Sequence, residues 1–302
     1  MKQGIALSVF SSVLFAALYY YTTVLHPLSG AAIFAWRIVL GLPALALLIS
    51  RARGWGEIRL TAGRLRREPR LWLLLPLSAG LIGAQLLVFV WAPLHQRALD
   101  VSLGYFLLPL VMVVVGRVFY HERLTRAQTL AVLIAAAGVA HEVWRADSFS
   151  WVTALVMLGY PPYFMLRRML RMGTLATLWF DMCFMLPLAL LLLHGQDMSV
   201  PQQFMRHPAL FGLVPLLGLI SSVALISYIS ASRMLPLGLF GILGYVEPVL
   251  LFWVALLFLD ESMPALAWFT YIPIWMAILL MAGEGLLEWR KDGRNEKNPA
   301  RA

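Results

Sequence analysis

Three ionisable side chains stand inside long apolar runs: Arg37, Asp181 and Glu247. A charge at the centre of a membrane helix costs roughly 2.5–3.5 kcal/mol on insertion scales, so each needs a partner or a task. Their chemistries are complementary. A guanidinium holds a carboxylate through two parallel hydrogen bonds, and a carboxylate holds an amine or exchanges a proton. At a rise of 1.5 Å per residue, Arg37 lies about 12 Å below the outer membrane face and Asp181 about 10 Å above the inner one. Glu247 lies about 17 Å from the inner face, close to the midplane of a roughly 30 Å core. Arg37 is therefore nearer in depth to Glu247, while a contact with Asp181 needs side-chain reach or a water. The plainer reading is that these charges neutralise one another and hold helices together.

Beside them stand residues that bend or line helices. Pro248 follows Glu247, and proline removes a backbone donor. Pro109 is its counterpart earlier in the chain, and the Pro161–Pro162 pair is expected to interrupt its helix next to Tyr163. Tyr19, Tyr163, Trp91 and Tyr245 are the aromatic candidates for a substrate cavity, with Tyr20, Tyr21, Tyr105 and Tyr228 behind them. Packing or a place in the interfacial belt is the commoner fate of such rings. Gln85, Ser221, Ser222 and Ser227 can bond a substrate or, more commonly, a neighbouring helix.

The elements that must position these groups are apolar segments at about 4–25, 29–50, 71–93, 99–120, 126–143, 149–166, 174–193, 208–231, 236–259 and 264–287. Most are near the roughly 20 residues that span a bilayer. With the N-terminus inside, nineteen of the 24 Lys and Arg fall in inside regions and three, Arg97, Arg145 and Arg206, fall outside. Arg37 and Arg117 lie within segments. Both termini are thus expected in the cytoplasm. The basic stretch 51–70 reads as a loop lying against anionic headgroups, and the polar tail 290–302 as disordered.

The chain also resembles itself. Pro109 precedes Glu122 by thirteen residues, and Pro248 precedes Glu261 by thirteen, an offset of 139. Near the start of each half an offset of 144 places Tyr19 on Tyr163, Arg37 on Asp181 and Pro43 on Pro187. Two repeats, 1–145 and 146–289, with five segments each, must be inverted, and the charges agree: HERLTR is basic and DESMPA has no Lys or Arg. Inverted repeats are a transporter architecture with the substrate site near the midplane. Glu122 and Glu261, at segment ends, read as loop-ordering residues. Thr125 and Gln128 fit a capping box, and Ser262 with Pro264 marks another helix start.

Composition agrees with an all-α membrane protein. Of 302 residues 61% are hydrophobic and 13% charged, against roughly 45–50% and 25% in soluble domains. The net charge of +9 is spread over short inter-segment gaps, so nucleic acid is not the expected partner. One cysteine, Cys183, allows no internal disulfide, and no Cys/His cluster has zinc spacing. No P-loop, catalytic constellation or cofactor motif is legible, so an ion gradient or the substrate gradient must drive any transport. The expected partners are a small-molecule substrate and the lipid bilayer, with the protein a monomer or weak homodimer.

The stretch Ser102–Val139, SLGYFLLPLVMVVVGRVFYHERLTRAQTLAVLIAAAGV, resembles the RarD-type proteins of the EamA group in the drug/metabolite transporter superfamily. So do GAQLLVFVWA at 83–92, the Tyr163–Arg167–Arg168 run, and YVEPVLLFWVALLFLDE at 245–261. The resemblance implies ten helices in two EamA repeats, a bacterial inner membrane, and export of small metabolites or drugs. The chain departs from the RarD pattern at Leu108, where an Asn is usual, and at Glu247, where a Gly is usual. The leading reading is an exporter of a polar, amino-acid-derived metabolite, an amino acid or metallophore-like compound. Arg37 would take its carboxylate and Glu247 or Asp181 its amine. Alternatives are a multidrug exporter of lipophilic cations and, from another class, a membrane receptor or assembly factor that transports nothing.

Overall fold

A computed structural model describes residues 2–121, 123–146, 150–195, 200–235, 240 and 243–295. Among these the regular structure is helical, without strands. The helices are α1 (Lys2–Val24), α2 (Gly30–Arg51), α3 (Trp55–Arg67), α4 (Leu71–Trp91), α5 (Ala98–Phe119), α6 (Arg126–Ala146), α7 (Trp151–Leu170), α8 (Thr174–His194), α9 (Val200–Arg206), α10 (Leu210–Met234), α11 (Val246–Phe258) and α12 (Trp268–Asn295). Eight are long and apolar enough to cross a membrane: α1, α2, α4, α5, α6, α8, α10 and α12 over Ala265–Glu284 with the 3-10 turn before it. α11 is apolar but has 13 residues. α7 is long enough, but Arg167 and Arg168 occupy its last turn.

Several expectations need correction. The 51–70 stretch folds: α3 buries Ile58 and Thr61 and turns Arg59, Arg66 and Arg67 outward, a periodicity hidden by its mostly polar composition. α7 runs unbroken through Pro161 and Pro162, as membrane helices can where local adjustments re-satisfy the freed carbonyls. α12 continues from Arg290 to Asn295, into the tail expected to be disordered. Glu, Lys and Arg are good helix formers and extend a helix already nucleated by its apolar part. Residues 296–302 and Glu122 lie outside the described residues. The expected capping box is present: the Thr125 N–H donates to Gln128 Oε1 and the Gln128 N–H to Thr125 Oγ1, both at 3.1 Å.

The chain divides into two compact units, each drawing on both halves of the sequence. Unit one comprises Met1–Val13, Ala98–Met157 and Ser227–Ala302; unit two comprises Leu14–Arg97 and Leu158–Ile226. Within unit one, α5 packs on α11 and α6 on α12. The core centres on Phe252, fully buried, with the rings of Tyr271 and Trp275 each 5.0 Å away and Phe106 at 6.5 Å. Lipid tails are as apolar as these side chains, so packing geometry, more than removal from water, holds such helices together. Tilted and edge-on ring pairs add about 0.5–1.5 kcal/mol each. Polar ties fix the start of α5: Glu261 accepts from the backbone N–H groups of Ala98 (2.5 Å) and Leu99 (2.8 Å), donors that no helical carbonyl can reach. Glu261 thus orders its loop as expected.

In unit two, α8 packs on α2 and α4, and α3 lies against both α8 and α4. A second apolar cluster, Leu71, Leu75, Leu166 and Leu170 with Leu65 against it, joins α3, α4 and α7.

Candidate functional site

Asp181 lies within α8 and is 1% exposed. A bare carboxylate there would be costly, and α7 supplies its partner. The Tyr163 hydroxyl donates to Asp181 Oδ2 at 2.9 Å. Arg167, one helical turn on, donates from Nη1 to the Tyr163 oxygen at 3.4 Å, its guanidinium 5.4 Å from the centre of that ring. The result is a chain from cation through phenol to buried carboxylate. Asp181 Oδ1 and the fully buried Ser78 Oγ on α4 make no hydrogen bond of good geometry, although Ser78 stands beside the carboxylate. Farther along α4, Gln85 fills the space left by Gly159 on α7; any β-carbon there would collide with its amide.

Arg37, on α2 in the same unit, holds its guanidinium 5.5 Å from the centre of the Phe89 ring. Phe89 is braced by Tyr19, fully buried, at 4.9 Å. A cation over an aromatic face gains about 0.5–2 kcal/mol, more when desolvated. Trp91 stacks on His95 at 4.0 Å, and His95 Nδ1 lies 2.8 Å from the Trp91 carbonyl.

Glu247, Tyr245, Pro248 and Pro109 belong to unit one. A turn at Gly244–Tyr245 precedes α11, so Glu247 and Pro248 occupy its first turn. A carboxylate is favoured there by the helix dipole, and a proline forfeits no helical bond. The Pro248 carbonyl accepts from Ser102 Oγ on α5 at 3.1 Å. Pro109 lies within the continuous α5.

The structure therefore joins Tyr163 to Asp181, and Tyr19 to Arg37 through Phe89. Arg167, Ser78 and Phe89 are site residues that sequence reasoning does not single out as such. For Arg167 a signal exists, since a residue four beyond Tyr163 shares its helix face. For Ser78 the signal is weaker: it lies seven residues before Gln85, on the same side of α4.

The connection between α7 and α8, which carry the Tyr163–Asp181 pair, is held by α3. Arg64 Nη1 donates to the Leu170 carbonyl at 3.0 Å, one of the last carbonyls of α7. The Glu57 carboxylate lies against Gly173, the N-cap of α8, where a β-carbon would collide with it. A cation thus meets a helix C-terminus and an anion a helix N-terminus, the pairing the dipoles favour. Arg64 is itself fixed by Glu68 Oε1 at 2.9 Å.

Eight apolar helices of bilayer length define a multi-pass membrane protein, and the relatives that it matches are named as transporters, not enzymes. The chain belongs to the RarD family of the drug/metabolite transporters. It is 48% identical over 292 residues to the chloramphenicol-sensitive protein RarD of Pseudomonas aeruginosa, covering 97% of each chain. It is 36% identical over 294 residues to an uncharacterized transporter of Haemophilus influenzae, covering 96% of this chain and 97% of that one. RarD of Escherichia coli is 26% identical over 294 residues. One protein of known crystal structure shares the fold at a TM-score of 0.55 and 17% identity, over 92% of this chain and 96% of that chain. No protein-family model matches.

Proposed function

We propose that the protein exports a small, polar, amino-acid-derived metabolite across the bacterial inner membrane. The observation that carries this reading is the presence, in one compact unit, of a buried carboxylate and a guanidinium. Asp181 is poised by Tyr163 to receive an amine, and Arg37 is held on Phe89 to receive a carboxylate. Trp91 lies in the same unit; Glu247 and Tyr245, at the start of α11, belong to unit one and are tested separately. An amino acid or metallophore-like compound carries both complementary groups.

The proposed architecture is ten crossings in two inverted repeats with both termini cytoplasmic, α7 being the sixth crossing and residues 236–259 the ninth. Two features support it. The offset of 144 that aligns Arg37 with Asp181 also sets α2 (Gly30–Arg51) against α8 (Thr174–His194). Repeat-related helices also pack on one another, α2 on α8, α5 on α11 and α6 on α12. A turn at Gly244–Tyr245 stands immediately before α11, the kind of helix end that transporters place at their sites.

The test is export measured in cells or proteoliposomes with amino acids and their derivatives. Arg37→Lys keeps the charge but loses the bidentate geometry, and export is expected to fall at least tenfold with unchanged membrane levels. Normal export by Arg37→Lys, with Arg37→Ala failing only to accumulate, would make Arg37 structural. Proton coupling through Glu247 predicts that Glu247→Gln loses the dependence of export on an imposed pH difference; wild-type export indifferent to that difference would exclude it. The second reading, a multidrug exporter of lipophilic cations, is favoured by the buried Asp181 carboxylate and by the packed rings of Tyr19 and Phe89 in the same unit. It predicts export of such cations unaffected by Arg37→Lys.

A further inference from the structure

We propose that the outer face of α3 is a binding surface for anionic phospholipid headgroups, formed by Arg59, Arg66 and Arg67. α3 joins the membrane helices α2 and α4, so it lies at the level of a membrane surface whichever side that is. At 100° per residue, Ile58, Thr61 and Leu65 fall on one side, and this is the side that meets the protein: Ile58 and Thr61 are buried, and Leu65 packs against the cluster of Leu71, Leu75, Leu166 and Leu170. Arg59 and Arg66, seven residues apart, and Arg67 point away from it and are exposed. Leu60, 74% exposed, stands among them. A basic face carrying an apolar side chain is the composition of a helix lying in the headgroup layer.

The ends of the helix agree. Trp55 donates its indole N–H to Ser50 Oγ at 2.8 Å and stands edge-on to Trp179 on α8 at 5.2 Å. Trp72 donates to the Leu65 carbonyl at 3.1 Å while its ring stays 61% exposed. Tryptophans prefer this boundary depth. The nearby carboxylates do not cancel the outer charge. Glu57 is engaged at the start of α8, and Glu68 is taken up by Arg64 and Arg70. With its inner flank bound to the α7–α8 connection through Arg64, the helix presents a preformed face, and little ordering entropy opposes binding.

Each arginine near an anionic surface strengthens binding about fivefold. The full-length protein is reconstituted into vesicles of phosphatidylcholine alone or mixed with phosphatidylglycerol, and the lipid retained after extraction is counted by native mass spectrometry. Wild type is expected to retain phosphatidylglycerol preferentially. The triple variant Arg59→Gln, Arg66→Gln, Arg67→Gln is expected to lose about a hundredfold in that affinity, while Arg64→Gln keeps the preference. Equal retention of the two lipids by wild type, or undiminished preference in the triple variant, overturns the proposal. If the triple variant fails to accumulate, Arg66→Gln alone is expected to weaken retention about fivefold, and no change there overturns it. Inorganic phosphate is expected not to displace the lipid. Displacement would make the face a site for soluble anions and overturn the assignment to lipid.

Discussion

The two units use buried polarity in opposite ways. In unit one most of it, the Trp275 indole N–H apart, closes on itself: Glu261 caps α5, Ser102 bonds the Pro248 carbonyl, Thr153 the Asp100 carbonyl and Tyr271 the Leu99 carbonyl. The Thr270 hydroxyl donates to Glu142 Oε2, and its oxygen lies 3.0 Å from His141 Nδ1. Around these bonds stands a continuous aromatic core. In unit two, Ser78 Oγ, Asp181 Oδ1 and Ser221 Oγ are buried without a hydrogen bond of good geometry. Buried polar atoms are normally satisfied, and one left over in a low-dielectric interior is costly. Unit one has the polarity of a framework, and the leftover groups of unit two suit the substrate site proposed for it. Substitutions in unit one should therefore reduce the amount of folded protein, and those in the Asp181 cluster should reduce transport with the fold intact.

The largest effect is expected at the centre of the framework. Phe252→Ala removes a fully buried ring that meets Tyr271 and Trp275. Such truncations cost about 3–5 kcal/mol in well-packed cores. The variant should accumulate poorly and melt well below wild type in detergent, while protein that does fold should transport at the wild-type rate per molecule. Normal melting combined with lost transport would reverse the assignment of roles.

The contrasting experiment is Asp181→Asn. Asparagine keeps an oxygen to accept from Tyr163 and removes only the charge. Melting should hardly change, and transport per folded molecule should fall at least tenfold. Tyr163→Phe should cost less. Because the two side chains are hydrogen-bonded, the double variant should be no worse than Asp181→Asn alone, a non-additivity that a double-mutant cycle reads directly. Additive losses would mean that Tyr163 and Asp181 act separately.

Part of this contrast is legible in the amino-acid sequence. Arg37 and Asp181 stand out because a charge in an apolar run is costly, and Tyr163 because the 144 offset sets it against Tyr19. Hydropathy locates every long helix. It does not reveal α3, whose arginines outnumber its buried residues, nor that α12 outlasts its apolar stretch. It cannot show that Tyr163 rather than Arg37 meets Asp181, because depth along a helix says nothing of rotation about its axis. The Phe89 platform for Arg37 is hidden for a similar reason: an apolar residue in an apolar helix carries no mark of the face it occupies.

Glu261→Gln tests the framework more gently. One of the two amides at Ala98 and Leu99 keeps an acceptor, and the other loses its charged partner in a buried position. A loss of about 1–3 kcal/mol is expected, seen as a lowered melting temperature without change in transport per folded molecule. Loss of transport at an unchanged melting temperature would instead place Glu261 in the transport pathway.

The smallest effect sharpens the comparison at the edge of unit two, where α3 braces the site. Hydrogen bonds from Arg64 and Arg70 hold the Glu68 carboxyl down to about 2, well below its ordinary value. In the unfolded chain Glu68 titrates near the ordinary carboxylate range, about 4.3. A group whose folded value is depressed contributes stability that is fully present above its unfolded value and is lost as the pH falls towards the folded one. Wild type and Glu68→Gln should therefore differ by the same small margin at pH 7 and pH 5, and converge between about pH 4 and pH 2. Because the pair is partly exposed, the margin should shrink as salt is raised. Arg64 would keep its bond to the Leu170 carbonyl in the variant, so transport should not change. A margin that persists at pH 2, or one indifferent to salt, would show that Glu68 acts through packing and not through its charge, and that α3 is braced by its apolar side alone.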